Sequence, residues 1–154
     1  MALLRMTRSI VSGSAALLMV SNLDFEPGDL DIYSPLSQEE TVLSIASLRL
    51  GFDLKGTRIP RCYPSNAAIS TVHRLEKGQK SMNIIIVDSE DPVAAIFHFH
   101  LTVVMNYLTA FGLYCAYPTL TLSDYGVANL SAVLRDTAVR TIAEVASKNI
   151  ERGG

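Results

Sequence analysis

The sequence predicts an α/β (α+β) domain, a mixed β-sheet with helices packed against it. Three observations carry that prediction. Hydrophobic patterning switches several times between the period of two that half-buried strands show and helical spacing, with no internal repeat. Residues that are 49% hydrophobic and 18% charged place the chain with globular proteins, away from the low-hydrophobicity corner of disordered ones. A length of 154 residues suits a single domain, 1-154, with one core built from layers.

The elements follow in order. Thr7 to Ser12 is a short, partly β-branched segment ending in Gly13-Ser14, and Ala15 to Val20 favours a helix, which gives strand, tight turn, helix. Asn22 to Gly28 is rich in turn formers. Asp29 to Tyr33 then alternates, setting Asp29, Asp31 and Tyr33 on one face of a strand and Leu30 and Ile32 on the other. Ser37 with Glu40 forms a capping box, and Leu43, Ala46 and Leu50 recur at helical spacing, so a helix is predicted from Gln38 to Leu50. Gly51 to Asn66 reads as a loop. Ser70 to Glu76 and Met82 to Val87 read as two strands of a hairpin turning at Lys77-Gly78-Gln79-Lys80. Asp91-Pro92 opens a helix expected to reach Phe111, stopped by Gly112. Leu113 to Leu122 adds one or two short strands around Pro118. A last helix is expected over Ser131 to Ile150, with Leu134, Ala138, Ile142 and Val145 as its buried stripe.

Composition narrows the function classes. A net charge of −2 and a pI near 5.9 exclude a protein that holds nucleic acid by bulk attraction, so any phosphate binding must be local. The two cysteines, Cys62 and Cys115, are too few for a disulfide framework or zinc ribbon and suit a reducing, intracellular, cytoplasmic setting; a single bridge is the alternative. Mean hydropathy is +0.27, yet polar groups interrupt every apolar stretch before the ~18 residues a membrane span needs, so no membrane association is expected. Arg5 and Arg8 ahead of Ala15 to Val20 loosely resemble a signal or transit peptide, but Ser12-Gly13-Ser14 breaks the run and is better read as a turn.

The constellation with most chemistry is Ser12-Gly13-Ser14 followed by Asp29-Leu30-Asp31-Ile32. A glycine-serine turn opening a helix offers backbone N–H groups and a hydroxyl to phosphate. Aspartates at i and i+2 of a strand bring two hard oxygen ligands to one point, which suits Mg²⁺ on a nucleoside triphosphate. Charge placement points the same way. Residues 24–40 carry −6, whereas residues 49–80 hold seven basic residues against Asp53 and Glu76, a net of +5. An acidic strand facing a basic loop and hairpin suits a triphosphate or a nucleic-acid backbone, and mutual neutralisation over a solvated surface is the plainer reading.

The order and spacing of these residues resemble the nucleotidyltransferase superfamily of the DNA polymerase beta-like fold. Its pattern is a hydrophobic residue, Gly-Ser, a gap, then Asp-hydrophobic-Asp-hydrophobic. The resemblance implies a nucleotidyltransferase-like domain in which Asp29 and Asp31 bind Mg²⁺ and Gly13 and Ser14 hold the triphosphate. This chain departs from the pattern in having Ser12 before Gly13, in a gap of fourteen residues between Ser14 and Asp29, and in the third carboxylate. At that position, in Met82-Asn83-Ile84, stands Asn83, which can coordinate a metal but brings no charge. Asp88 could substitute only in a different register.

Further blocks are similar to a diverged group of fungal, basidiomycete nucleotidyltransferase-like proteins. They are Pro27-Gly28-Asp29-Leu30-Asp31-Ile32-Tyr33, Ile96-Phe97-His98-Phe99-His100, Met105-Asn106-Tyr107-Leu108, and Cys115-Ala116-Tyr117-Pro118 with Leu120-Thr121-Leu122. That likeness implies a fold and an ancestral chemistry. Two readings stand beside each other: an Mg²⁺-dependent nucleotidyltransferase completed by Asn83 or Asp88, and a non-catalytic pseudoenzyme that binds a nucleotide or a protein partner through the same cleft. A short chain leaves little for the acceptor substrate, so a protein partner or a homo-oligomer could supply that part.

Other motifs carry less. Asp29 and Asp31 could serve a turn and a strand edge, and Gly13-Ser14 could be a plain tight turn. His98 and His100 have a ligand spacing on a strand, but on a helix they lie roughly 200° apart and cannot share an ion. Gly78-Gln79-Lys80-Ser81 imitates the end of a P-loop without its upstream glycine or following helix.

Overall fold

The computed structural model describes residues 1–21, 23–59 and 69–129. Cys62 and the helix expected over Ser131 to Ile150 lie outside the described residues. The fold is α+β. Among the described residues seven strands form one mixed sheet: β1 (Ile10–Ser12), β2 (Leu30–Pro35), β3 (Asp53–Arg58), β4 (Ile69–Lys77), β5 (Lys80–Val87), β6 (Asn106–Leu108) and β7 (Leu113–Cys115). Their order is β3-β4-β5-β2-β1-β6-β7. Only β2 and β5 pair in parallel, from Leu30 opposite Met82 to Pro35 opposite Val87; every other neighbouring pair is antiparallel.

Alternation in β2 and β5 divides the core between the two faces of the sheet. Val11, Ile32, Met82, Ile84 and Ile86 bury against Leu3 and Leu4 of α1 (Ala2–Thr7), Val42 of α3 (Glu39–Ser44), and Ile45 and Ala46 of the π-turn that continues α3 through Arg49. On the other face Ile10, Tyr33, Val72, Ile85 and Val87 pack under Ala95 and Ile96 of α4 (Val93–Ile96) and under Met105. The second cover is short. It reaches the rows of Tyr33 and Ile85 but not the next row, where β2 and β5 present Asp31 and Asn83 in register. That uncovered end is where the polar residues gather.

The strand, turn and helix at Gly13 form as expected, with α2 spanning Ser14–Val20. So does the hairpin, whose turn places Gly78 at φ 58. Arg5 and Arg8 belong to α1 and its left-handed cap, and Leu17 of α2 is buried. The first twenty residues are thus part of the fold.

Three expectations are corrected and a fourth is met in part. The helix predicted from Asp91 to Phe111 ends at Ile96; Thr102–Val104 is a 3-10 turn and Asn106–Leu108 a strand. The reason is tertiary. Strand β1 pairs with β2 on one side, and its other edge is closed by β6, with Val11 opposite Leu108, so sheet pairing outweighs helical propensity. The Gly51 to Asn66 loop contains β3, which is exposed along its whole length and therefore shows no hydrophobic alternation. The capping box does not form: no side chain caps α3, a 3-10 turn over Leu36–Gln38 precedes it, and Ser37 Oγ is bonded to Glu90 and Arg8 instead. Around Pro118 there is one strand, β7, and then α5 (Pro118–Thr121), with proline in its first turn. Among the described residues no helix is long and apolar enough to cross a membrane.

Candidate functional site

The site is built on one row across the sheet. Ser12 of β1 lies opposite Asp31 of β2, Asp31 opposite Asn83 of β5, Asn83 opposite Arg74 of β4, and Arg74 opposite Gly56 of β3. Directly opposed residues point to the same face. The row therefore aims Asp31, Asn83 and Arg74 at the end of the sheet that α4 leaves open.

Gly13 sits directly above Asp31. With φ 71 and ψ −148 it occupies backbone space that only glycine enters without strain. A Cβ there would lie 2.7 Å from Asp31 Oδ2, so the turn requires glycine for space as well as for conformation. Ser14 is the first residue of α2, half-buried beside it. Ser12 turns its hydroxyl away and donates to the Asn106 carbonyl at 2.6 Å. The serine standing before Gly13 is thus satisfied within the sheet.

Asp29 precedes β2 by one residue, on the face of Asp31. Ser81, two residues before Asn83, donates its hydroxyl to Asp29 Oδ1, and to the Gly28 carbonyl at 3.1 Å. Asn83 Nδ2 donates to Asp31 Oδ1 at 2.9 Å. Burial pushes the Asp31 carboxyl above the ordinary carboxylate range; the Asn83 bond opposes that shift and the neighbouring Asp29 charge adds to it. Two carboxylates are held close together by an amide and a hydroxyl.

Beyond Asn83 the sheet opens into a cleft of about 490 Å³, lined by Asp29, Asn83, Thr57, Val72, Arg58 and Arg74. Arg74 makes a 3.0 Å bond through Nε to Glu76 and is about half exposed. A smaller cavity, about 340 Å³, lies at the other end of β1 between Arg8, Glu90, Phe111 and Tyr114, where Arg8 and Glu90 already pair at 2.6 Å.

The structure brings together Gly13, Asp29, Asp31 and Asn83, with Ser14 at the edge. It does not bring in Asp88. That residue follows the last residue of β5, an odd number of positions from Asn83, and is exposed. His98 is on a turn and His100 on a bend after α4 rather than on a helix, and among the described residues no group of three or more His, Cys, Asp or Glu side chains could hold a metal. Cys115 is a free thiol. Sequence reasoning missed Ser81 as a member of the site, and it placed Arg58 and Arg74 only within the basic stretch 49–80. The hairpin register signals Ser81, which shares a strand face with Asn83, and Arg74, opposite Asn83, while both arginines line the adjoining cleft. In comparisons with family models, with curated proteins and with solved structures, the chain matches none.

Proposed function

We propose that the chain is a nucleotidyltransferase-like domain that binds a nucleoside triphosphate with Mg²⁺ and holds it without transferring a nucleotide. The observation that carries this reading is convergence. Gly13, Asp29, Asp31 and Asn83 come from three separate stretches of sequence, yet a Gly13 side chain would touch Asp31, and Asn83 is bonded to Asp31. In this reading Asp29 and Asp31 are the metal ligands, and Gly13 and Ser14 face the phosphates.

The donor set fits one Mg²⁺. The two carboxylates are hard oxygen donors, Asn83 holds Asp31 through its amide nitrogen, and a divalent cation between Asp29 and Asp31 would relieve the repulsion that helps raise the Asp31 carboxyl. When bound, the cation supplies charge neutralisation for the triphosphate. The residues do the rest: Ser81 and Asn83 orient the two carboxylates, and the Gly13 turn lets a ligand approach the backbone closely. A second cation lacks its charged ligand, because Asn83 stands where the resemblance calls for a carboxylate. The same position offers no base for an acceptor hydroxyl. Binding without turnover follows.

Calorimetric titration of the full chain with ATP tests this. Heat of binding is expected only with Mg²⁺ present, and is expected to vanish in Asp29→Ala and in Asp31→Ala. Binding that ignores the metal would overturn the reading. Robust nucleotide transfer by the unmodified protein would overturn its non-catalytic part.

A further inference from the structure

The order of groups along the site row separates two regions of positive character, and they do not face the same ligand atoms. The Gly13 turn lies over Asp31, on the β1 side of the row. Arg74 is two strands away from Asp31 in the opposite direction, roughly 10 Å at the usual strand spacing, with Asn83 between. Arg58 is opposite Val72 in the next row and lines the same cleft as Arg74, Asp29 and Asn83. A triphosphate lying against Gly13 leaves these two guanidinium groups on the far side of the carboxylates.

We propose that Arg58 and Arg74 form a second anion subsite, which takes a nucleotide phosphate belonging to a different molecule from the triphosphate: the phosphate of a single-stranded nucleic acid. The proposal rests on the reading of the Asp29-Asp31 end as a nucleotide site for its geometry, but the subsite itself stands on the arginines. Arginine is the side chain suited to bidentate phosphate recognition. Arg74 uses only its Nε towards Glu76, at an exposed edge where such a pair is weak, so its terminal nitrogens remain to bind. The described residues that line the cleft are charged, polar or aliphatic, so their contacts with a strand are to its backbone phosphate, which carries no sequence information. A net charge of −2 restricts binding to a few phosphates, which fits a strand entering a cleft of about 490 Å³ and not a duplex laid over a broad face.

The test uses the full chain and a fluorescein-labelled ten-nucleotide uridine RNA, followed by anisotropy across a salt series, with Mg²⁺-ATP binding measured separately by calorimetry. The double variant Arg58→Ala/Arg74→Ala is expected to weaken RNA binding about tenfold or more and to reduce the salt slope by roughly 1.4, the value for two lost single-strand phosphate contacts. The variant Arg58→Lys/Arg74→Lys keeps charge and should retain most of the salt slope. Mg²⁺-ATP affinity should change less than about twofold in either variant, since the arginines lie beyond the carboxylates. AMP in competition separates the sources of phosphate: displacement of the RNA only by other strands supports the proposal, whereas tighter binding of AMP than of RNA overturns the strand as ligand. RNA binding that ignores the arginines overturns the subsite, and so does a parallel loss of Mg²⁺-ATP affinity, which would make the arginines part of the triphosphate site. If Mg²⁺-ATP fails to bind the unmodified protein, the proposed function fails. Arginine-dependent RNA binding is then still read on its own.

Discussion

Replacing Asp31 by asparagine asks whether the two carboxylates are held together against their own repulsion. Asparagine keeps the shape of aspartate and an Oδ1 that can accept the 2.9 Å bond from Asn83 Nδ2, so Asp31→Asn removes charge and little else. Two residues apart on an extended chain, the carboxylates are roughly 7 Å from each other. At an effective dielectric of about 20 to 40 such charges repel by about 1 to 2.5 kcal/mol. Asp29 is only half-buried, which favours the lower end. The variant is therefore expected to be more stable than the natural sequence without metal at pH 7, by about 1 kcal/mol or roughly 2–4 °C in Tm for a chain of this size.

The pH dependence has a definite sign. A carboxyl raised in the folded state above its unfolded value of 3.8 binds its proton more tightly when folded, so its contribution is most favourable below that value. Stability is lost as pH rises through the raised pKa. The advantage of Asp31→Asn should thus open as pH climbs from below 3.8 through that window, and close on acidification. Mg²⁺ at ten times its Kd should add about 1.4 kcal/mol to the natural protein and nothing to the variant. Thermal melts across pH, with and without Mg²⁺, measure all of this. A variant less stable than the natural protein at pH 7 without metal, or one that gains equally from Mg²⁺, would refute the electrostatic account.

Gly13→Ala places a methyl 2.7 Å from Asp31 Oδ2 at φ 71, and is expected to cost about 1–3 kcal/mol, with loss of Mg²⁺-dependent ATP heat; an unchanged Tm would show that the turn relaxes without strain. Asn83→Asp adds a third carboxylate one strand from Asp31, and should raise Mg²⁺ affinity about tenfold while lowering stability without metal. Slow transfer from ATP by that variant alone would identify Asn83 as the cause of inactivity, and unchanged Mg²⁺ affinity would argue that the position does not face the ion.

Where side-chain pattern and local geometry agree, the sequence alone determined the outcome. The alternation of Asp29 to Tyr33, the Gly13-Ser14 turn before a helix, and the Gly78 hairpin each rest on interactions within a few residues, and each forms as expected. Asn83 was expected near Asp31 from the resemblance, and the parallel pairing of β2 with β5 sets the two opposite each other. Tertiary structure decided what depends on partners distant in the chain. The stretch from Phe97 to Leu108 carries apolar residues compatible with a helix, and it became turns and a strand because β1 had an edge to close. Strand β3 has no hydrophobic face to announce it, being exposed along its length and, among the described residues, paired with β4 alone. Ser81 joins the site, and Arg58 and Arg74 the adjoining cleft, for the same reason: a row across a sheet is assembled from strands whose order no local signal records, and only pairing brings Asp31, Asn83 and Arg74 into line.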